Sequence, residues 1–93
     1  MNTLIDFWAD WCQPCKKMTP VAEKVAKELE DKVHLVKVNA DEDHNQDLLQ
    51  QFNVSSIPTF VLIDEADQVL GTLVGARSEA VFRDWVESHV TKK

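Results

Sequence analysis

Apolar residues occur along the chain in two patterns, short continuous runs and longer stripes at steps of three and four positions. The short runs, bounded by polar residues, predict strands, and the stripes predict helices with one buried face. The predicted strands cover residues 3–8, 33–38, 59–63 and 68–74. The stripes predict helices over residues 12–30 and over the stretch that follows Ser78. A third helix, at about 44–52, is predicted from the acidic turn at 41–43, which can cap it and favour it electrostatically.

The order of these elements is β-α-β-α-β-β-α, which predicts an α/β fold. The first two strands are joined by a helical crossover, so they should be parallel. The short polar connection at 64–67 predicts an antiparallel hairpin between the last two strands. We expect a four-stranded mixed sheet with helices on both faces, the first and third helices sharing one face. Ser78 should cap the last helix, whose apolar stripe is Val81, Phe82, Trp85, Val86 and Val90.

Length, charge and composition limit the possible functions. A chain of 93 residues suits one domain, residues 1–93, with a small core. Its net charge of −6 argues against nucleic acid or an anionic membrane as a partner. The apolar runs are too short to span a bilayer, and the N-terminus has no basic segment typical of a signal peptide. The expected location is the cytoplasm, although removal of a targeting segment would leave the same sequence.

The two cysteines of the chain, Cys12 and Cys15, lie at the predicted transition from a strand to a helix. Unpaired backbone N–H groups and the helix dipole favour a thiolate at this position. The second thiol lies within reach to close a disulfide. We therefore expect a dithiol–disulfide redox centre. Cys12, as the more exposed and more acidic thiol, should be the nucleophile, and Cys15, one turn inside, the resolving thiol.

Two other roles for the cysteine pair are weaker. Half of a zinc site would need two further ligands at compatible spacing, and the histidines are scattered singly, at His34, His44 and His89. A purely structural disulfide would close a four-residue loop and would restrain little of the unfolded chain. The redox centre is the interpretation that the spacing favours.

Four segments resemble those of the thioredoxin family and occur in the same order. The first is Asp-Phe-Trp-Ala-Asp-Trp-Cys-Gln-Pro-Cys-Lys at 6–16, followed by matches at 36–41, 57–59 and 74–76. The likeness covers nearly the whole chain. It implies a thioredoxin fold and a protein-disulfide reductase that acts on disulfide-containing proteins. It also implies recharging by a thioredoxin reductase, with no metal and no tightly bound cofactor.

Two alternative functions remain from other classes. One is a glutaredoxin-like enzyme recharged by glutathione, against which the sequence of residues 11–15 argues. The other is a redox-inactive interaction module on the same fold, or an electron carrier dedicated to one partner. The two intact cysteines disfavour inactivity but leave dedication to one partner open.

Two charged residues are further candidates for catalysis. Asp6 lies mid-strand among apolar residues, where burial should raise the pKa of its carboxyl. The resemblance implies that Asp6 accepts and donates a proton for Cys15, and the alternative is a surface position or a backbone hydrogen bond. The resemblance also implies that Lys37 pairs with Asp6. Alternatively, Lys37 protects a sheet edge from pairing with another chain.

The resemblance also implies a substrate-docking surface around the cysteines. Pro58 matches the family's cis-proline, which would leave the backbone of Ile57 free to pair with an extended substrate. A trans proline at the start of a strand is the alternative. Gly75 would permit close approach of a partner backbone. The expected apolar docking rim consists of Trp11, Ile57, Pro58, Gly75 and Ala76.

The sequence departs from the family pattern in three ways. The family's additional first strand and helix have no counterpart ahead of residue 3, glycine is usual where Gln13 stands, and the predicted hairpin at 65–67 lacks a glycine. Gln13 bears on the redox potential. We expect a monomer of lower stability than a thioredoxin with the extra elements or, alternatively, association through the strand at 33–38.

Overall fold

Four strands form one mixed sheet in a computed structural model that describes residues 1–91. They are β1 (Asn2–Trp8), β2 (Val33–Asn39), β3 (Thr59–Ile63) and β4 (Val69–Val74), in the spatial order β2-β1-β3-β4. β1 is parallel to β2 and antiparallel to β3, and β3 and β4 form an antiparallel pair. The predicted strands and their directions are confirmed, with their ends shifted by a single position at most.

The helices follow the predicted order. They are α1 (Gln13–Glu28), α2 (Gln46–Gln51) and α3 (Glu79–His89). Ser78 caps α3, as predicted, because its hydroxyl oxygen accepts a hydrogen bond from the backbone N–H of Val81 at 3.3 Å. The middle helix is shorter than predicted because it begins as a 3₁₀ turn, Asp43–Asn45.

The core has two layers, one on each face of the sheet, as the sequence predicted. α1 and α3 share one face, where their apolar stripes pack on β1 and β3. The main side chains of this layer are Leu4, Met18, Ala22, Val25, Phe60, Phe82 and Val86. The short α2 and the segment after it cover the other face. The main side chains there are Phe7, Val38, Val61, Leu48, Leu49 and Phe52.

One predicted core residue of α3 lies elsewhere. Val81 is 50% exposed, whereas Phe82 and Val86 are fully buried. The buried stripe of α3 is narrower than its apolar sequence because only one line of residues, four positions apart, faces the sheet. Trp85 is partly buried at the margin, with its ring 5.9 Å from that of Phe82.

The hairpin between β3 and β4 forms without glycine. The Asp64 carboxylate accepts backbone hydrogen bonds from Ala66 and Gln68 at 2.8 and 2.9 Å. Asp67 adopts the left-handed backbone conformation, with φ at +62°. Aspartate tolerates this conformation better than most residues, so the missing glycine does not disrupt the turn.

β2 is an edge strand, as predicted. Within residues 1–91 it pairs only with β1, and Val36 and Lys37 are exposed on it. The location of Lys37 on an open edge agrees with the protective role that sequence reasoning offered as an alternative.

Candidate active site

The cysteine pair lies at the junction between β1 and α1. The backbone N–H of Cys12 donates to the carbonyl of Ala9 at 3.1 Å, which closes the turn after the strand. Cys12 is the residue that caps α1, and Pro14 occupies the first helical turn. Cys12 and Cys15 form a disulfide, with their Cα atoms 5.2 Å apart.

The capping contact has a chemical consequence. Cys12 Sγ accepts a hydrogen bond from the backbone N–H of Cys15 at 3.2 Å. When the disulfide is reduced, this N–H group and the positive end of the α1 dipole favour negative charge on the Cys12 sulfur. This geometry favours the thiolate on Cys12, and the higher acidity of Cys12 stays a prediction.

The predicted difference in exposure between the two cysteines is wrong for the disulfide form. Cys12 is 3% exposed and Cys15 is 2% exposed. Ala9 lies in one buried cluster with the two cysteines, and Trp8 and Ile57 pack against this cluster. The two cysteines thus differ through hydrogen bonding and position on the helix, and burial does not separate them.

The Asp6 carboxyl is buried in the middle of β1 and is only 1% exposed. Its Oδ2 accepts a hydrogen bond from the hydroxyl of Thr19 at 3.3 Å. Its Oδ1 has no hydrogen-bond donor among residues 1–91. Burial raises the pKa of Asp6 from 3.8 to about 6, and the Thr19 hydrogen bond and the charge of Lys37 oppose that rise. The alternative of a surface carboxyl is therefore wrong.

Lys37 lies opposite Asp6 in the register between β1 and β2, yet its side chain pairs elsewhere. Its ammonium contacts the carboxylate of Glu23 on α1 at 2.8 Å. Within the described chain Lys37 makes no ion pair with Asp6, so the predicted direct pairing is wrong. Because Glu23 is half exposed, Lys37 reaches it without losing the hydration that a buried partner would remove.

The Glu23–Lys37 pair yields a prediction for the pKa of Asp6. The negative charge of Glu23 raises this pKa and the positive charge of Lys37 lowers it. Glu23→Gln should therefore lower the pKa of Asp6, and Lys37→Met should raise it. Because the pair is solvated, each change should be about half a pH unit or less. A carbon-13 titration of the Asp6 carboxyl would measure both pKa changes. Shifts in the same direction would contradict the opposite effects expected of the two charges.

A cleft of about 320 Å³ lies beside this cluster. Trp8, Cys15, Thr19 and Lys37 are among its lining residues. Thr19 is partly exposed to the cleft while its hydroxyl contacts the buried Asp6. The cleft therefore gives solvent access to the side of α1 on which Cys15 and Thr19 lie. Trp8 also packs against the cluster that contains the two cysteines.

The Ile57–Pro58 peptide bond is cis, so the trans alternative is wrong. Ile57 packs against the cysteines, and the backbone N–H of Gly75 donates to the carbonyl of Pro58 at 2.8 Å. Gly75 has φ at +93°, a conformation that glycine adopts readily. Pro58 itself is buried, so its ring is not part of an exposed rim.

Trp11 is the most exposed large apolar side chain near the cysteines, at 67%. Its indole N–H donates to the Asp41 carboxylate, 2.9 Å away in the loop after β2. Ala76 is also exposed, whereas Ile57 is half-buried against the disulfide. Ile57 thus packs against the cysteines, whereas the indole of Trp11 is bound by Asp41 of another loop.

Three residues of the site were absent from the sequence-based candidates: Thr19, Glu23 and Asp41. The spacing of Thr19, one helical turn after Cys15, was a signal for its position on the same face. Asp41 contacts Trp11 from the loop after β2, and no sequence pattern linked these two residues. No sequence pattern distinguished Glu23 from the other charged residues of α1.

The family model that matches the chain is described as thioredoxin and covers residues 1–88. The chain belongs to the thioredoxin family. It is 37% identical to a thioredoxin of Rickettsia bellii over 90 residues, which is 97% of this chain and 83% of the relative. Identity to a Haemophilus influenzae thioredoxin is 44% over 87 residues, or 94% of this chain and 78% of the relative.

A solved structure of the family has the same fold. It is a mutant thioredoxin from Halobacterium salinarum NRC-1, 33% identical in sequence, with a TM-score of 0.85. The match covers 99% of this chain and 77% of the solved chain. The predicted thioredoxin fold is confirmed.

Family membership and the intact cysteine pair establish the chemistry. The protein is a thiol–disulfide oxidoreductase that reduces disulfides in other proteins through Cys12 and Cys15. Thioredoxins in general act on disulfide-containing substrates and are reduced by thioredoxin reductase. Within residues 1–91, no three His, Cys, Asp or Glu side chains lie together as a metal site would need. No helix in the same range is both long and apolar enough to cross a membrane.

Proposed function

We propose that Cys12 attacks and Cys15 resolves in a general protein-disulfide reductase. The observation that carries this assignment is the hydrogen bond from the Cys15 N–H to Cys12 Sγ at the start of α1. It favours the thiolate on Cys12, and the thiolate is the form that attacks a disulfide.

The reaction has two exchange steps. The Cys12 thiolate bonds to one substrate sulfur, the substrate disulfide breaks, and the first substrate thiolate leaves. Cys15 then loses its proton, and its sulfur bonds to Cys12 Sγ. The bond between Cys12 and the substrate breaks, and the second substrate thiolate leaves. Two electrons pass from the protein to the substrate, and the Cys12–Cys15 disulfide is the oxidised product.

Asp6 is the base of the second step in this proposal. A thiolate on buried Cys15 is disfavoured, so its proton needs an acceptor within the protein or through a water molecule. A pKa of about 6 leaves the Asp6 carboxyl mostly ionised at neutral pH and still able to take a proton. Lys37 acts on this step at a distance, through the effect of its charge on Asp6.

Substrate docks, in the same proposal, along the surface beside the cysteines. The backbone of Ile57 pairs with an extended segment of the substrate, as sheet-edge peptide recognition requires. Gly75 permits close approach, and the exposed side chains of Trp11 and Ala76 supply apolar contact. Pro58, whose peptide bond is cis, is buried behind this surface, and its carbonyl accepts the hydrogen bond from the Gly75 N–H.

The reducing partner proposed for this chain is a thioredoxin reductase. We also propose that the protein acts as a monomer in the cytoplasm and binds neither nucleic acid nor membrane. Its net charge of −6 supports the last part, because phosphate backbones and anionic lipids repel an acidic protein. The exposed Lys37 on edge strand β2 supports the monomer.

Reduction of insulin tests this function. With NADPH and thioredoxin reductase, the protein should reduce insulin disulfides catalytically, and with glutathione as the only donor the rate should stay near the uncatalysed background. The double variant Cys12→Ser/Cys15→Ser is the control. Preference for glutathione would instead indicate a glutaredoxin-like donor. Failure with every donor, dithiothreitol included, would contradict the reductase function.

A further inference from the structure

Neither of the two exchange steps involves Thr19, although Thr19 contacts Asp6. Thr19 follows Cys15 by four positions on α1, and this spacing puts both side chains on the face of the helix that packs on β1. The Thr19 hydroxyl donates to Asp6 Oδ2 at 3.3 Å. Thr19 also lines the cleft that Cys15 lines, so it stands between the buried carboxyl and solvent.

The two oxygens of the Asp6 carboxyl are therefore not equivalent. Oδ2 is bonded to a neutral hydroxyl donor, while Oδ1 has no donor within residues 1–91. An oxygen already occupied by a donor is the poorer proton acceptor of the two. Oδ1 is thus the oxygen of Asp6 that is free to receive a proton.

The charged groups around Asp6 do not distinguish its two carboxyl oxygens, so only the hydrogen bond from Thr19 does. Lys37 on β2 and Glu23 on α1 form an ion pair with each other at 2.8 Å, and they act on Asp6 only through their charges. Phe60, the β3 partner of Asp6, is apolar. Lys16 and Asp10 lie along the cleft and are exposed to solvent.

We propose that Thr19 is a positioning residue for the resolving step. Its hydroxyl holds Oδ2 of Asp6, stabilises the charged form of this base, and leaves Oδ1 to take the proton from Cys15. This inference rests on the proposed role of Asp6 as the base. The proton moves from Cys15 Sγ to Oδ1, and Thr19 keeps its own proton throughout.

Removing the hydroxyl should weaken the charged base. A hydrogen bond to a charged group that is lost on substitution corresponds to a pKa increase of about one unit for Asp6. Thr19→Val, which keeps the shape, should therefore shift the pH profile of the resolving step upward by about one unit. The rate should fall about twofold at pH 7 and about tenfold well below pH 6. Thr19→Ser restores a donor and should behave like the wild type.

The test uses the full chain and two readouts. A carbon-13 titration of the Asp6 carboxyl in the reduced protein gives its pKa directly. Stopped-flow release of the second substrate thiol from a preformed mixed disulfide on Cys12 gives the resolving rate against pH. Both are measured for the wild type, Thr19→Val, Thr19→Ala and Thr19→Ser. Thr72→Val, on edge strand β4, is the matched threonine control.

The expected result is an upward shift in both readouts for the Val and Ala variants, with the Ser and Thr72 variants unchanged. In an Asp6→Asn background, Thr19→Val should shift nothing further. An unchanged Asp6 titration in both Thr19→Val and Thr19→Ala would overturn the inference. So would an equal shift in Thr19→Ser, because that pattern indicates packing. If Asp6→Asn leaves the pH profile intact, the proposed role of Asp6 fails, and this outcome is separate from a failure of Thr19 alone.

Discussion

Replacing Cys15 with serine should convert the protein from a catalyst into a trap for its substrates. Cys12 keeps the N–H group of residue 15 and the helix dipole, so it still attacks a disulfide. Serine cannot resolve the product, so mixed disulfides with target proteins accumulate. Turnover of insulin should fall to the rate of the uncatalysed exchange. Non-reducing electrophoresis followed by mass spectrometry measures both the adducts and their attachment site.

Cys12→Ser is the matched control for this experiment. Its remaining thiol, Cys15, is not the sulfur that accepts the capping hydrogen bond at the start of α1. It should form almost no adducts under the same conditions. If Cys12→Ser traps as many targets as Cys15→Ser, the assignment of attacking and resolving thiols is wrong.

Replacing Asp6 with asparagine should slow catalysis and stabilise the fold at the same time. The variant keeps the shape of the side chain and an acceptor for the Thr19 hydroxyl, but it cannot take a proton. Resolution near neutral pH should slow by about a hundredfold, the lower end of what a positioned general base contributes. Stopped-flow release of the second substrate thiol at several pH values measures this loss.

The gain in stability should depend on pH in a defined direction. Because the folded-state pKa of Asp6 is about 6 and its ordinary value is 3.8, the native state binds the proton more tightly. Wild-type stability therefore falls as pH rises from about 4 to about 6 and stays lower above that range. Asp6→Asn removes this loss, which amounts to about 3 kcal/mol at pH 7 as an upper value. Below about pH 4 the Asp6 carboxyl is protonated in both the folded and the unfolded wild type, so the charge of Asp6 should no longer make the wild type less stable than the variant.

Denaturant titrations at about pH 3.5 and pH 7.5 test the stability half of this prediction. Asp10→Asn is the matched control, because it removes an exposed carboxylate beside the same cleft. It should change neither stability nor the resolving rate appreciably. A marked loss of stability in Asp6→Asn, or unchanged turnover, would remove Asp6 from the mechanism.

Most of the fold could be predicted because the relevant signals are local. Short apolar runs predicted the four strands, helical stripes predicted α1 and α3, and the acidic turn ahead of α2 predicted the middle helix. The crossover after β1 predicted the parallel pair. Ser78 as a helix cap and Cys12 at a helix start follow from neighbouring residues alone. The error at Val81 arose because an apolar stripe gives the direction of a helix face but not its width.

The site was less predictable where several side chains compete for one partner. Strand register places Lys37 opposite Asp6, but the solvated carboxylate of Glu23 on α1 takes the ion pair. That choice depends on hydration and on side-chain reach across two elements, and no spacing in the sequence records it. The packing of Ile57 against the cysteine cluster likewise depends on a loop that lies far away along the chain.

A single turnover of the reduced protein tests the central claim most directly, namely that Cys12 and Cys15 carry the exchange. The reduced chain is mixed with a limiting disulfide substrate, free thiols are alkylated, and the peptide containing both cysteines is analysed by mass spectrometry. We predict one Cys12–Cys15 disulfide formed for each substrate disulfide reduced. Substrate reduction with both cysteines alkylated as free thiols would contradict the claim.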